Sequence, residues 1–196
     1  MSKKISMIIQ AAGLSRRQPP NKLLMKLGTE TVIEKTVTAF VNFPLEIIVV
    51  LGYKMEKLKP ILTMQFADKI TIVENPYYHK GMASSIHTGI RAAGRDCDYY
   101  GFCNGDKPFI QRKTISNLLK ELEEKTPTIL IPVYQYRIGH PNFFSATLRD
   151  ELLATTGEIG GRQIFRDHKD SALSISVEDK GVVLDMDQYL ENEHDK

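Results

Sequence analysis

Short apolar strands alternate with helical segments along most of this chain, and this alternation constrains the fold more than any other feature. Glu46–Leu51 (EIIVVL) is a continuous, largely β-branched run, which is the pattern of a strand covered on both faces. Arg112–Lys125, in contrast, has the amphipathic spacing of a helix on the surface of a domain. Because the connections are short, the alternation predicts an α/β fold, a Rossmann-like three-layer sandwich with a mainly parallel sheet.

The individual segments follow from hydrophobic periodicity and from the turn residues that flank each one. The expected strands are Ser6–Gln10, Glu46–Leu51, Ile70–Val73, Tyr99–Cys103 and Thr128–Val133. The expected helices are Thr31–Phe40, Met55–Met64, Gly81–Ala93 and Arg112–Lys125. After Tyr134 the periodicity weakens, and a loop is expected at Arg137–Pro141. Neither a linker nor an internal repeat interrupts the pattern, so residues 1–196 are expected to form a single domain.

The composition argues against several classes of function. With 42% apolar and 26% charged residues and a net charge of +2, the chain lacks the basic excess of nucleic-acid or membrane-surface proteins. Its N-terminal apolar run is too short for a signal peptide, and no segment is long enough to span a bilayer. Cys97 and Cys103 lack the spacing of a metal or redox motif, so buried free thiols are expected. We therefore expect a cytoplasmic protein with neither nucleic-acid nor membrane partners.

The carboxyl ends of the predicted strands indicate where a ligand binds, because α/β sheets bind ligands outside those ends. Four turns meet this condition, namely Ala11–Gly13, Gly52–Tyr53, Asn75–Pro76 and Asn104–Asp106. Candidate functional residues are therefore expected in these turns.

The first turn, Ala11–Gly13, is followed by Arg16, Arg17 and Lys22. Small residues let backbone N–H groups approach a ligand closely, and such amides form anion-binding sites. Together with three cations they suit a triphosphate, although neither GxxxxGK[ST] nor GxGxxG is present. The alternative is a turn of small residues followed by solvated basic side chains.

Three later stretches could complete such a site. Asp106 follows a strand and is a plausible Mg²⁺ ligand, since Mg²⁺ is held by one or two carboxylates together with phosphate oxygens. Gly81–Ser85 places two hydroxyls at a helix start, which suits an anion or a base edge but also an ordinary serine N-cap. Val183–Asp187 is interpreted as a strand, on which Asp185 and Asp187 point to opposite faces. Only one of these two could then join Asp106, and a solvated edge strand is the alternative.

Taken in order, these motifs resemble those of the MobA-like NTP transferases, and within them the molybdenum cofactor cytidylyltransferase branch. The pattern is Ala-Ala-Gly-x-Ser-x-Arg with a lysine five residues on, then Gly-Met-x-x-Ser, Gly-Asp-x-Pro, Gly-His-Pro and Asp-x-Asp. It extends from about Ile8 to Asp187. The resemblance implies a nucleotide-diphospho-sugar transferase type of fold and Mg²⁺-dependent transfer of CMP from CTP to the phosphate of molybdopterin or molybdenum cofactor. Pyrophosphate would be released, and a recipient molybdenum hydroxylase is an implied further partner.

The resemblance also implies roles for individual residues. Lys22 and Arg17 would bind the triphosphate and act in catalysis together with Asp106. Asp106 and Asp187 would be the metal ligands. The other implied contacts are Ala11, Ala12, Gly13, Ser84 and Ser85 with the nucleotide, and Gly139, His140 and Pro141 with the cofactor substrate.

Two residues keep open roles within the resemblance. Lys107 stands where the family commonly has glutamine, and this added cation would bind phosphate or compete with the metal. His140 would either donate to a phosphate or pterin, or hold its own loop by a structural hydrogen bond.

Alternative functions also remain open. A GTP-using guanylyltransferase is the nearest, although Ala11–Gly13 in place of Ala-Gly-Gly favours the pyrimidine base. A sugar-phosphate or methylerythritol-phosphate nucleotidyltransferase shares the fold, but Gly139–Pro141 argues against it. A non-catalytic carrier or maturation partner would hold the molybdenum cofactor without needing the metal and triphosphate residues.

Overall fold

The computed structural model describes residues 2–14, 21–158 and 160–194. The strands are β1 (Ile5–Ala11), β2 (Lys26–Leu27), β3 (Glu30–Thr31), β4 (Glu46–Leu51), β5 (Thr71–Glu74), β6 (Tyr99–Asn104), β7 (Ile129–Tyr134), β8 (Arg137–Ile138), β9 (Asn142–Ser145) and β10 (Ala172–Ser176). The α-helices are α1 (Val32–Thr38), α2 (Met55–Phe66), α3 (Met82–Ala92), α4 (Arg112–Lys125), α5 (Arg149–Ala154), α6 (Gly161–Asp167) and α7 (Met186–His194). Two short 3₁₀ helices, Lys22–Leu24 and Lys180–Val182, also bear on the site.

The central sheet has the strand order β10-β7-β9-β6-β1-β4-β5, with β8 paired to β7. β1 lies between β4 and β6 and is parallel to both. The chain first builds outward from β1 through β4 to β5 and then crosses to β6 on the other side. The carboxyl end of β1 is therefore the point at which the direction of winding reverses, and this is where open α/β sheets bind ligands.

Alternating residues of β1 face the two helical layers of the structure. Met7 and Ile9 belong to a core that includes residues of α1, α2 and α4. Ile8 belongs to a second core, which includes residues of α3, α5 and α6. At Gly89 of α3, a Cβ atom would lie 2.4 Å from Cγ2 of Ile8, so the missing side chain lets this helix pack closely on the sheet. The predicted three-layer arrangement with a mainly parallel sheet is confirmed.

Up to Tyr134 the predicted elements are confirmed, with bounds that differ by at most two residues. Arg112–Lys125 is helical over its whole predicted length. Cys97 and Cys103 are free and buried, as expected. Within the part of the chain that is described, no helix is long and apolar enough to cross a membrane.

Beyond Tyr134 the structure contains elements that the periodicity did not predict. Part of the loop expected at Arg137–Pro141 forms β8, which pairs with β7. Next, β9 inserts antiparallel between β6 and β7. These strands have two and four residues, too few to display an alternating pattern, and pairing with longer neighbours determines their conformation.

The prediction of a strand over Val183–Asp187 is wrong. This stretch follows the 3₁₀ helix Lys180–Val182 and leads into α7, so Asp187 lies in the first turn of a helix. The Oδ1 atom of Asp185 accepts a hydrogen bond of 2.9 Å from the backbone N–H of Gln188. This is an N-terminal helix cap, and Asp-x-x-Gln is the local sequence signal for it. One carboxylate therefore starts the helix, while the other is available to the site.

Candidate active site

A cavity of about 390 Å³ lies at the carboxyl ends of β1 and β6. This volume falls within the range of small-molecule pockets, roughly 300–1,000 Å³. The predicted site residues that line it are Ala11, Ala12, Gly13, Lys22, Ser85, Asp106 and Asp187. The cavity is also lined by five residues that no motif in the sequence indicated, namely Gln10, Asn21, Tyr78, His79 and Glu158.

Lys22, Asp106 and Asp187 meet in this cavity although they are far apart in the sequence. The Nζ atom of Lys22 lies 2.5 Å from Oδ2 of Asp106 and 2.9 Å from Oδ2 of Asp187. All three side chains are largely buried. The pKa of Lys22 is raised, because burial disfavours its charge but the attraction of Asp106 and Asp187 outweighs that cost. One cation position between two carboxylates is therefore built into the cavity.

The turn that carries Asp106 is held by hydrogen bonds from three separate elements. The backbone N–H of Gly105 donates to the carbonyl of Gln10 at 2.8 Å. The Thr36 hydroxyl on α1 donates to the Gly105 carbonyl at 2.9 Å, and the N–H of Met186 donates to the Asp106 carbonyl at 3.1 Å. Thr36 is fully buried, and its only signal in the sequence is a polar residue on the apolar face of a helix.

On the opposite wall, Asn75 positions the two serines of α3. Its Nδ2 donates to Oγ of Ser84 at 2.8 Å and to Oγ of Ser85 at 3.1 Å. Asn75 is completely buried, and its Oδ1 accepts from the N–H of Tyr77 at 3.0 Å. Ser85 lines the cavity, whereas the Ser84 hydroxyl turns back and donates to the carbonyl of Gly81. The turn Asn75–Pro76 is one of the four predicted ligand-binding turns, and the structure shows that Asn75 orients this wall.

The N-terminus of α3 is already engaged by a neighbouring loop. Its N-cap is Gly81 rather than a serine. The Ala83 N–H donates to the Gly157 carbonyl at 3.0 Å, and the Met82 N–H donates to Oε2 of Glu158 at 3.3 Å. Gly81 has a φ of +98°, and a Cβ atom there would lie 2.6 Å from the Gly157 oxygen, so only glycine fits.

Gly139, His140 and Pro141 are not among the described residues that line the cavity. The His140 N–H donates to the Val182 carbonyl at 2.8 Å, and its Nδ1 lies 3.3 Å from the Phe102 carbonyl. Because a carbonyl only accepts, Nδ1 carries the proton and donates. Burial lowers the pKa of His140 to about 4, so the ring is neutral at pH 7. This geometry corresponds to the loop-holding role rather than to a cation for phosphate.

Lys107 is buried and turned away from the cavity. Its Nζ donates to the Val183 carbonyl at 2.7 Å, and burial lowers the pKa of its ammonium group. Neither role expected for it, binding phosphate or competing with a metal, agrees with this contact. Lys107 instead connects the Asp106 turn to the segment that leads into α7.

A divalent cation fits the residues that are present. Oδ1 of Asp106 is buried and has no hydrogen-bond partner among the described residues. Carboxylate oxygens of Asp106 and Asp187 both contact the Nζ atom of Lys22, so the two side chains converge on one position. Two carboxylates together with phosphate oxygens and waters suffice to hold Mg²⁺. Across the described ranges, no group of three or more His, Cys, Asp or Glu side chains forms a metal cluster. Arg17 lies outside the described residues.

Comparisons with known proteins show the family of the chain. Residues 7–172 match the family described as the MobA-like NTP transferase domain. The molybdenum cofactor cytidylyltransferase of Escherichia coli K12 is 26% identical over 93% of this chain and 91% of its own length. A probable molybdenum cofactor guanylyltransferase of Natranaerobius thermophilus is 27% identical over 78% of this chain and 74% of its own.

A solved structure has the same fold. The crystal structure of Rv0371c from Mycobacterium tuberculosis has a TM-score of 0.82 and 22% identity, and covers 99% of this chain and 97% of that one. A second structure of Rv0371c, in complex with manganese, has a TM-score of 0.75 and 20% identity, and covers 97% of this chain and 98% of that one.

Proposed function

This chain belongs to the MobA-like NTP transferase family, and we propose that it is a molybdenum cofactor cytidylyltransferase. In the proposed reaction, a phosphate oxygen of molybdopterin or molybdenum cofactor bonds to the α-phosphorus of CTP. The bond between this phosphorus and the β-phosphate oxygen breaks, so CMP is transferred and pyrophosphate leaves. The observation that carries the proposal is the convergence of Lys22, Asp106 and Asp187 at the switch point of the sheet. The E. coli cytidylyltransferase, similar over 93% of the chain, supports it.

The residues of the chain suit a reaction that depends on positioning and charge. The attacking oxygen belongs to a phosphate, so no general base is required, as in other transfers dominated by electrostatic stabilisation. Lys22 would offset negative charge on the triphosphate and on the leaving pyrophosphate. Ala11, Ala12 and Gly13 would place their backbone beside the nucleotide, and Ser85 faces the same cavity. Arg17 remains a proposed partner of the triphosphate.

Asp106 and Asp187 would hold Mg²⁺, whose bound charge would further offset that of the phosphates. The Oδ1 atom of Asp106, for which the described part of the chain offers no partner, supports this assignment. The manganese complex of Rv0371c supports a divalent ion in a protein of this fold. In this proposal Lys22 moves from the carboxylates to the triphosphate when metal and nucleotide bind.

GTP is the second candidate nucleotide, because a probable guanylyltransferase is also similar to this chain. Against it stands Ala12, which lines the cavity and which the resemblance to the cytidylyltransferase branch associates with the pyrimidine base. We further propose that residues 1–196 form one such domain, that the protein is cytoplasmic and that a molybdenum hydroxylase receives its product. A role for Gly139–Pro141 towards the cofactor substrate stays a prediction.

The proposal is tested by measuring pyrophosphate release with molybdopterin and either CTP or GTP, with and without Mg²⁺. We expect Mg²⁺-dependent release that is faster with CTP, and a loss of roughly 10²–10³ in rate for Asp106→Asn. Asp185→Asn is the matched control, because asparagine is also a good N-cap and Asp185 starts α7 instead of facing Lys22.

The other possible results of this assay would each replace a part of the proposal. Faster release with GTP would make the chain a guanylyltransferase. If pyrophosphate is not released but molybdopterin binds tightly, the protein would be a non-catalytic carrier of the cofactor and not a cytidylyltransferase. An equal loss in both aspartate variants would remove Asp106 from the proposed site.

A further inference from the structure

Asn21 lies at the wall of the cavity, immediately before Lys22, and is 1% exposed. It is the N-cap of the 3₁₀ helix Lys22–Leu24, and its Oδ1 accepts from the N–H of Leu23 at 3.1 Å. This contact determines the orientation of the amide, because the opposite orientation would place Nδ2 against another donor. The Nδ2 group therefore lies on the side of the amide away from Leu23.

The Nδ2 atom of Asn21 is buried and has no hydrogen-bond partner among the described residues. Leaving a buried donor unsatisfied costs free energy, so native structures usually satisfy such groups with protein, water or ligand. Since Asn21 lines the cavity, an acceptor on a bound ligand is a direct way to satisfy this donor. The capping role of Asn21 uses only its Oδ1 atom, so it does not explain why a buried Nδ2 donor is present.

The position of Asn21 identifies which part of the ligand supplies that acceptor. Leu23, which Asn21 caps, packs in the core shared with α1, whereas Ser85 is on α3, on the other face of the sheet. Asn21 is thus on the wall that carries Lys22, whose ammonium attracts anions. We propose that Asn21 is a phosphate-binding residue whose side-chain amide donates to an oxygen of the nucleotide triphosphate. This inference rests on the proposed function and assigns a further residue to the same site.

Two substitutions separate this role from capping. Asn21→Ser keeps an N-capping oxygen but removes the amide donor. Asn21→Asp keeps the cap and replaces the donor with a negative charge. Asn142→Ser is the matched control, because the side-chain Oδ1 of Asn142 is also buried without a partner among the described residues, but Asn142 does not line the cavity.

The probes are inorganic tripolyphosphate, CTP and GTP, titrated calorimetrically with Mg²⁺, together with the melting temperature of each variant. We expect Asn21→Ser to weaken the binding of all three probes by a similar factor, roughly ten- to a hundredfold. Asn21→Asp should weaken it more, while Asn142→Ser binds like the wild type and the melting temperatures of both Asn21 variants change little.

Unchanged tripolyphosphate affinity in Asn21→Ser would overturn the inference and leave the proposed function intact. A loss confined to one nucleotide would also overturn it, because the contact would then be to the base. If the wild type binds neither tripolyphosphate nor a nucleotide, the inference and the proposed function fail together.

Discussion

At the residue scale, Lys22 lies between two carboxylates that reach it from distant parts of the chain. Its Nζ is within 3 Å of oxygens from both Asp106 and Asp187. An ammonium and a divalent cation cannot occupy the same point, so Lys22 and the proposed metal compete for it. In the proposed function, a bound triphosphate would resolve the competition, because its oxygens would offer Lys22 other acceptors.

We therefore expect Lys22→Met to bind Mn²⁺ more tightly than the wild type when no nucleotide is present. Methionine removes the competing charge and keeps an unbranched side chain of similar length. The same variant should bind CTP more weakly, by at least tenfold, because a charged contact to phosphate is lost. Titration calorimetry, or the electron paramagnetic resonance signal of free Mn²⁺, measures both effects. Weaker Mn²⁺ binding in Lys22→Met would contradict the competition.

At the element scale, the loop before β9 and the start of α7 hold the carboxyl end of β6 in place. His140 connects β6 to the 3₁₀ helix Lys180–Val182, since it contacts the carbonyls of both Phe102 and Val182. Lys107 makes a parallel connection from the Asp106 turn to Val183. These contacts place α7 where Asp187 faces Lys22, so buried polar groups outside the cavity determine its geometry.

The buried His140 makes the stability of this region depend on pH. Its pKa in the folded protein is about 4, below the ordinary value of about 6.5. The unfolded chain therefore binds a proton first as the pH falls, and stability decreases between about pH 6.5 and pH 4. The loss should approach about 3 kcal/mol at the lower limit.

His140→Gln is the matched variant, because glutamine can donate to Phe102 but does not titrate in this range. Urea unfolding of both proteins at pH 7, 5.5 and 4.5 measures the effect. We expect the difference in unfolding free energy between the variant and the wild type to shift in favour of the variant as the pH falls. If the difference in unfolding free energy between His140→Gln and the wild type stays constant from pH 7 to pH 4.5, the lowered pKa of His140 is contradicted.

At the scale of the whole molecule, the site draws on elements from most of the chain length. The cavity wall includes the turn after β1, the start of α3, the turn after β6 and the first turn of α7. A ligand that contacts all of these binds the folded state and has little affinity for the unfolded chain. Ligand binding should therefore stabilise the entire fold.

With Mg²⁺ present, CTP at a hundred times its dissociation constant should stabilise the protein by about 2.7 kcal/mol. For a chain of this size the melting temperature should rise by roughly 5–10 °C. Differential scanning fluorimetry measures this shift, which should shrink in Asp106→Asn and persist in Asp185→Asn. No shift in the wild type at saturating CTP would contradict nucleotide binding.

Most of the fold and part of the candidate site could be predicted from sequence because their signals are local. Strand and helix alternation gives the layers, and the rule for strand ends leads directly to Ala11–Gly13 and Asp106. The prediction of a strand over Val183–Asp187 was wrong because it rested on a short alternating pattern. The Asp-x-x-Gln signal at Asp185 and Gln188, which indicates the start of a helix, was overlooked. The strand β9 had no usable signal, since its four residues take their conformation from pairing with β6 and β7.

Up to Tyr134, the sequence by itself determined which segments become strands and helices, and its motifs predicted that Lys22 and Asp106 belong to one site. Only the tertiary structure decided that Asp187 joins Asp106 at Lys22, that Asn75 orients Ser85 and that His140 and Lys107 serve the scaffold. These outcomes depend on contacts between residues that are from 10 positions apart, for Asn75 and Ser85, to 165 positions apart, for Lys22 and Asp187. No local pattern encodes such contacts, because they result from packing two helical layers on one twisted sheet.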